Sequence, residues 1–289
     1  MFVMLRLINC AILPLFGNAD FLGASAFNAA SAKPFILVGN DEKILRNADG
    51  KGVLSPADKD SLLIADLANP EGMKIVATLP LKNSVVGHPV NVDIDPTGSV
   101  ALVANSVDVV KDGDALKQTL DNKIYVIDMK ANPPKLAATG GKKPSGLSFS
   151  PSGKMALIAN RGDNPITVLS VNGTDVKVTD TIPKGDRVSQ VLFTPGGKLA
   201  FIADNGNTRS SDDSVSVLRI DGNEMTKNQD INVGRFPEAV MFAPDGRYLL
   251  DGNYLDDDSS ILKVNCTKIT DTGKRFKIPV HPVPASMGH

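Results

Sequence analysis

Four Pro-x-Gly turns set the frame of this chain: DPTG from Asp95, SPSG from Ser150, TPGG from Thr194 and APDG from Ala243. Their starts lie 55, 44 and 49 residues apart, close to the interval of roughly 40 to 50 residues that marks a supersecondary unit repeated around a ring. The agreement reaches beyond the turn. Nine residues after each turn proline stand Asn105, Asn160, Asp204 and Asn253; seven before it stand Pro89, Pro144, Val188 and Pro237. Each unit therefore enters at a proline (once a valine), where a strand needs no ladder donor. It then runs a short strand, turns at Pro-x-Gly and runs a second strand.

A third apolar stretch follows in every unit: 123–128, 166–171, 214–220 and 260–264. A fourth, less regular one follows it. Four antiparallel strands per repeat are the content of a β-propeller blade, so the fold class expected is all-β. From Pro34 the chain reads as a blade without its first strand: PFILVGN, then 60–67, then 73–81. After His281 it reads as an entry proline and first strand, PASMGH (284–289), without a continuation. The two fragments are complementary, and closing a ring removes open sheet edges. Five blades are inferred, the first completed by the C-terminal strand, in a single propeller domain over 33–289.

The recurring P-x-x-apolar-x-apolar-x-P-x-G pattern, its second strand ending in LVAN, LIAN or FIAD and its third running V-x-V, resembles the bacterial YVTN-repeat, or YncE-like, β-propellers. These are grouped with the lactonase-like and the quinoprotein amine dehydrogenase β-chain-like propellers. The resemblance implies relatives of seven blades. It specifies fold far more than function, because its motifs are turn and strand chemistry.

The first 32 residues carry one basic residue, Arg6, an apolar run from Leu7 to Phe16 and two small-x-small sites, at Ala24–Ala26 and Ala30–Ala32. That is the pattern of a cleaved secretory signal, and the run is too short to span a membrane. The expected location is periplasmic or secreted. Cleavage would remove Cys10 and leave Cys266 alone, so no internal disulfide is expected. A net charge of −1 provides no field to draw nucleic acid, and a monomer is expected.

In a blade of this kind the blade-to-blade links and the loops between second and third strands share one end. The links bring His88, Lys142, Lys143, Arg187, Arg235 and His281 there; the second-strand ends bring Asn105, Asn160, Asp204 and Asn253. Lysine and forked arginine donors at one mouth fit a small anion; asparagines at strand ends also serve turns. No sequence signature of a hydrolase, metalloprotease, nucleotide-binding loop or redox dithiol is present. The leading expectation is an exported module binding a small anionic ligand or a protein partner, without catalysis. Two alternatives stay open. One is a lactonase-like hydrolase whose cofactor is a divalent metal at the channel mouth, held by Asn105, Asn160 and Asp204 with His88 as proton carrier. The other, implied by the resemblance alone, is a propeller subunit of a redox complex. The acid pairs Asp112/Asp114 and Asp212/Asp213, the triplet Asp256/Asp257/Asp258 and the stretch 47–58 are weaker oxygen-donor candidates for calcium.

Overall fold

The computed structural model describes residues 34–47, 51–56, 59–83, 91–140, 144–160, 166–183, 188–204, 213–243, 245–265 and 268–277. Their strands form five antiparallel sheets in chain order. Blade 1 has three strands, β1 (Phe35–Asn40), β4 (Ser61–Asp66) and β5 (Lys74–Pro80), with a small hairpin of β2 (Ile44–Arg46) and β3 (Gly52–Leu54) inserted between the first two. Blade 2 holds β6 (Val92–Ile94), β7 (Val100–Asp112), β8 (Ala115–Asp128) and β9 (Lys135–Gly140). Blade 3 holds β10 (Leu147–Phe149), β11 (Met155–Ala159), β12 (Ile166–Asn172) and β13 (Asp175–Ile182). Blade 4 holds β14 (Val188–Phe193), β15 (Leu199–Asp204), β16 (Ser214–Asp221) and β17 (Glu224–Asn232). Blade 5 holds β18 (Pro237–Phe242), β19 (Tyr248–Asn253), β20 (Asp258–Asn265) and β21 (Lys268–Lys277). Each sheet pairs its strands in sequence order. This is the all-β propeller architecture expected from the repeat. The C-terminal strand assigned to blade 1 and the N-terminal signal lie outside the described residues.

The turn residues do what their types require. In each copy the glycine N–H donates to the carbonyl of the residue before the proline, at 2.9 Å: Gly98 to Asp95, Gly153 to Ser150, Gly197 to Thr194 and Gly246 to Ala243. The four glycines have φ between 67° and 69°, a conformation open to glycine at no steric cost. The turns also stack from blade to blade. A Cβ on Gly153 would fall 3.3 Å from Pro96 Cδ, one on Gly197 3.3 Å from Pro151 Cδ, and one on Gly246 3.4 Å from Pro195 Cγ. Three of the four turns therefore seat the proline of the preceding blade against their own glycine.

Alternation along the strands gives every blade two apolar faces, and facing pairs form the core. Leu37 and Ile64 of blade 1 meet Ala101 and Val103 of blade 2. Leu102 and Val126 meet Phe149 and Ile158. Leu157 and Val168 meet Val191 and Ile202. Phe201 and Val217 meet Val240 and Leu249. Hydrogen bonds join the inner strands as well: Gln190 Nε2 donates to Val240 O (3.1 Å) while its Oε1 accepts from Val240 N (2.7 Å), and Phe149 N donates to Asp93 Oδ2 (2.9 Å).

The connection between the second and third strands of blade 2 is itself regular. Residues 106–122 extend the second and third strands of blade 2 into a long hairpin, with Val107 opposite Leu120 and Asp112 opposite Ala115, after a register shift between Asn105 and Val107. It turns at Gly113, φ 63°. The V-x-V-V run at 107–110 against T-L at 119–120 supplies the alternation that supports the pairing.

Candidate functional site

Strand polarity settles which loops share an end. Val188 lies opposite Asp204, Asp204 opposite Ser214 and Ser214 opposite Asn232. The start of the first strand, the end of the second, the start of the third and the end of the fourth are therefore level. Blade 5 repeats this with Pro237, Asn253, Asp258 and Lys277. The link ends and the second-to-third connections gather at this end, and the Pro-x-Gly turns at the other.

The four second-strand residues are all buried at this end, and each is tied within its own blade. Asn105 Nδ2 donates to Asp121 Oδ2 (2.6 Å), Asn160 Nδ2 to Thr167 Oγ1 (2.7 Å), and Ser216 Oγ to Asp204 Oδ2 (2.6 Å). Asn253 Nδ2 donates to Asp258 Oδ1 (2.8 Å) and Ser260 Oγ (2.9 Å), and its Oδ1 accepts from Gly234 N (2.9 Å). The link residue lies so close that a Cβ on Gly234 would fall 2.4 Å from Asn253 Cγ. These side chains hold second strand to third, and in blade 5 also the incoming link.

Arg235 is exposed in that link. Its Nε donates to Asp256 Oδ1 (2.6 Å), its backbone N to Asp256 Oδ2 (2.7 Å) and its Nη2 to Leu255 O (2.9 Å). The hydrogen bond to Asp256 raises the arginine's pKa further, and the same contacts lower that of Asp256. The next residue, Phe236, has φ 59° and packs on Tyr254 with ring centroids 5.8 Å apart. His88, Lys142, Lys143, Arg187 and His281 lie outside the described residues.

The acid clusters meet cations one by one. Asp256 takes Arg235, Asp258 takes Lys277 (3.1 Å) and Asp112 takes Lys117 (2.8 Å). Among the described residues no three His, Cys, Asp or Glu side chains converge on one point. Part of the calcium-like stretch, 48–50 and 57–58, and Asp212 fall outside the described residues.

Two polar features escaped the sequence reading. At the same end of blade 1, Lys43 is fully buried, its ammonium held by Asp60, by Asp41 (3.2 Å) and by the carbonyl of Asn83. The backbone N–H of Asn83 in turn donates to Asp60 Oδ2 (3.2 Å), and the Asn83 side-chain Oδ1 accepts from Asn91 Nδ2 (2.6 Å). A lysine shortly after an Asn-Asp strand end, with an aspartate just before the next strand, was the available signal. The second feature is Asp251 on β19, 0% exposed, with neither carboxylate oxygen hydrogen-bonded among the described residues. Burial pushes its pKa up to about 8, against a downward pull from the charge of Arg275. Its signal was LLDGN, where the other units have an aliphatic residue two places before the strand-end Asn or Asp.

No family model matches the chain, and no curated protein matches it significantly. Solved structures share its fold at low identity, and such neighbours are lactonase-like seven-bladed β-propellers. A functionally unknown protein from Desulfotomaculum acetoxidans is 17% identical, with 82% of this chain and 69% of that one covered, at a TM-score of 0.60. The periplasmic gluconolactonase PpgL of Pseudomonas aeruginosa is 15% identical, with 86% and 68% covered, at 0.58. A candidate 6-phosphogluconolactonase from Bacteroides uniformis is 17% identical, with 81% and 84% covered, at 0.52.

Proposed function

We propose that the chain is an exported binding module that takes a small anionic ligand at the end of the propeller where its blade links gather. The observation that carries the reading is strand polarity: three successive links, those bearing Lys142 and Lys143, Arg187 and Arg235, begin and end at one level. These links carry cations in a chain of net charge −1. Arg235 adds a guanidinium aligned by Asp256, and a fixed fork binds carboxylate or phosphate with less loss of side-chain freedom than a free one. The asparagines of the strand ends supply the rigid floor beneath the links.

A second reading is favoured by the fold neighbours that are lactonases. In it the same end hydrolyses an acidic or phosphorylated sugar lactone. Titration calorimetry with 6-phosphogluconate and with gluconate separates the outcomes. Binding should weaken as salt rises, since screening shortens to about 8 Å at physiological ionic strength, and should fall in the Arg187→Gln/Arg235→Gln variant. Equal affinity for parent and variant would remove the anion site and leave the protein-partner form of the module. Proton release from gluconolactone or its 6-phosphate, lost on chelation, would replace the binding reading by the hydrolytic one. Intact mass of the exported protein tests the leader: a chain beginning at Met1 in the cytoplasm overturns export.

A further inference from the structure

The long hairpin of blade 2 carries a sheet edge that the other described strands leave open. Its inner strand is covered: Asp108 and Val109 on β7 are each 6% exposed, and Lys82, from the link that leaves blade 1, pairs with the Asp108 carboxylate. Its outer strand is not. Lys117, Gln118 and Leu120 on β8 are exposed, Leu120 by 59%. The fourth strand, β9, takes the outer side of β8 only from Ile124, which lies opposite Gly140. From Ala115 to Lys123 no strand flanks β8 on that side among the described residues.

The pairing inside the hairpin determines which groups that edge presents. Asp112 lies opposite Ala115 across a two-residue loop, Gly113 and Asp114, and the residues that close such a loop exchange backbone hydrogen bonds. Hydrogen-bonded and non-hydrogen-bonded pairs alternate from there. Lys117 and Thr119, opposite Val110 and Asp108, therefore turn their N–H and C=O groups toward β7. Leu116, Gln118 and Leu120 turn theirs outward, the row of groups to which an added strand bonds main chain to main chain.

We propose that β8 pairs along this edge with β8 of a second copy of the chain, antiparallel, across a two-fold axis at Thr119, giving a dimer in place of the monomer expected from the sequence. Length and charge select that occupant. The open stretch runs from 115 to 123, and an axis at its midpoint lets two copies use all of it. A shift toward the base drives the tip of each hairpin into the place that Gly140 occupies beside Ile124. The same axis sets Lys117 of each copy directly opposite Asp121 of the other. Asp121 is already positioned by Asn105 Nδ2 (2.6 Å), while Lys117 holds only an exposed pair with Asp112 (2.8 Å), a contact of little strength in water. Opposite charges facing each other across a ladder stabilise it. An incoming strand with no acid at that place meets an edge guarded by lysine. Gln118 falls opposite Leu120, and Thr119 opposite its own counterpart.

The test is sedimentation of the full-length protein over a dilution series, beside Gln118→Pro. The N–H of Gln118 points away from β7, so proline there removes an intermolecular donor and blocks the edge while the pairing of β8 to β7 stays intact. The parent should pass from dimer to monomer on dilution, and the variant should stay monomeric throughout. Facing residues of a non-hydrogen-bonded pair have Cα atoms about 4.5 Å apart, within disulfide reach. In protein with Cys10→Ser and Cys266→Ser, Thr119→Cys should therefore oxidise to a disulfide-linked dimer on a non-reducing gel. Ala115→Cys, at the opposite end of the paired strands from its own copy, should stay reduced. A parent that is monomeric at every concentration overturns the proposal, and so does a dimer that Gln118→Pro leaves unchanged, which places the interface elsewhere. Should the proline variant fail to fold, the cysteine variants still decide: no cross-link at Thr119, or one at Ala115 instead, overturns the pairing.

Discussion

The contact between blades 3 and 4 and the contact between blades 4 and 5 are built on one register and differ most sharply at one buried seat. In the first, Ile202 sits opposite Val191 and packs on Leu157, Ala159, Ile166 and Val168. In the second, Asp251 sits opposite Val240, two residues along the same strand face from Leu249, which packs on blade 4. Both are 0% exposed. The backbone is the same, so the fold is specified by turn and alternation and tolerates a carboxyl group in an apolar seat. A lone buried carboxylate is costly enough that the group keeps its proton instead. One blade contact is therefore pH-indifferent and its neighbour is not.

Making the two contacts alike in the unfavourable direction has the largest expected effect. Ile202→Asp should cost on the order of 4 kcal/mol at pH 7, the scale implied by a carboxyl pKa raised from 3.8 to about 8 at about 1.4 kcal/mol per unit. Urea unfolding measures it, and a loss below about 1 kcal/mol would show that this seat admits water. The converse change, Asp251→Val, gives blade 5 the residue type of Val103 and should stabilise by a similar amount at pH 8 and by little at pH 4.

The direction follows from proton counting. The unfolded chain loses this proton near pH 4 and the folded chain near pH 8, so between them the folded state binds more protons. Stability then falls by up to about 1.4 kcal/mol per pH unit across that window and levels off above it. Midpoints of urea unfolding taken from pH 4 to 9 on parent and Asp251→Val should converge at the acid end; parallel curves would mean that Asp251 ionises normally. A smaller effect belongs to Gln190, which gives the blade 4–5 contact a paired amide. Gln190→Leu leaves the N–H and C=O of Val240 without their partner and should cost about 2 kcal/mol, with no change in the pH slope. Arg235→Gln should alter stability by no more than about 0.5 kcal/mol while lowering affinity for 6-phosphogluconate.

What the sequence made legible follows the same division. Turn prolines, turn glycines and strand-end Asn or Asp residues recur because backbone geometry needs them in every unit, so the five sheets and their common end could be read from spacing alone. Asp251 is a departure within a repeat, and its meaning depends on which face of the strand lies against blade 4, which only the packed sheets reveal. The Lys43–Asp60 pair was hidden because its partners lie 17 residues apart across the β2–β3 hairpin. The asparagines were legible as a ring but less so as ties: Asn160 and Asn253 each reach a hydroxyl seven residues on, whereas Asn105 reaches Asp121 across the long hairpin, 16 residues on. For the basic rim only Arg235 is described, and there its fixed guanidinium depends on Asp256, 21 residues on.

The stacked turns have a consequence for how such a chain can change over evolutionary time. Because the turns of blades 3 and 4 each offer a proline to the unit after and a glycine to the unit before, these units carry both halves of the same joint. Removing or duplicating one such unit leaves the flanking units with a matching joint. Blade number is thereby free to drift in steps of one, by recombination between copies of the gene segment, without redesign of the seam.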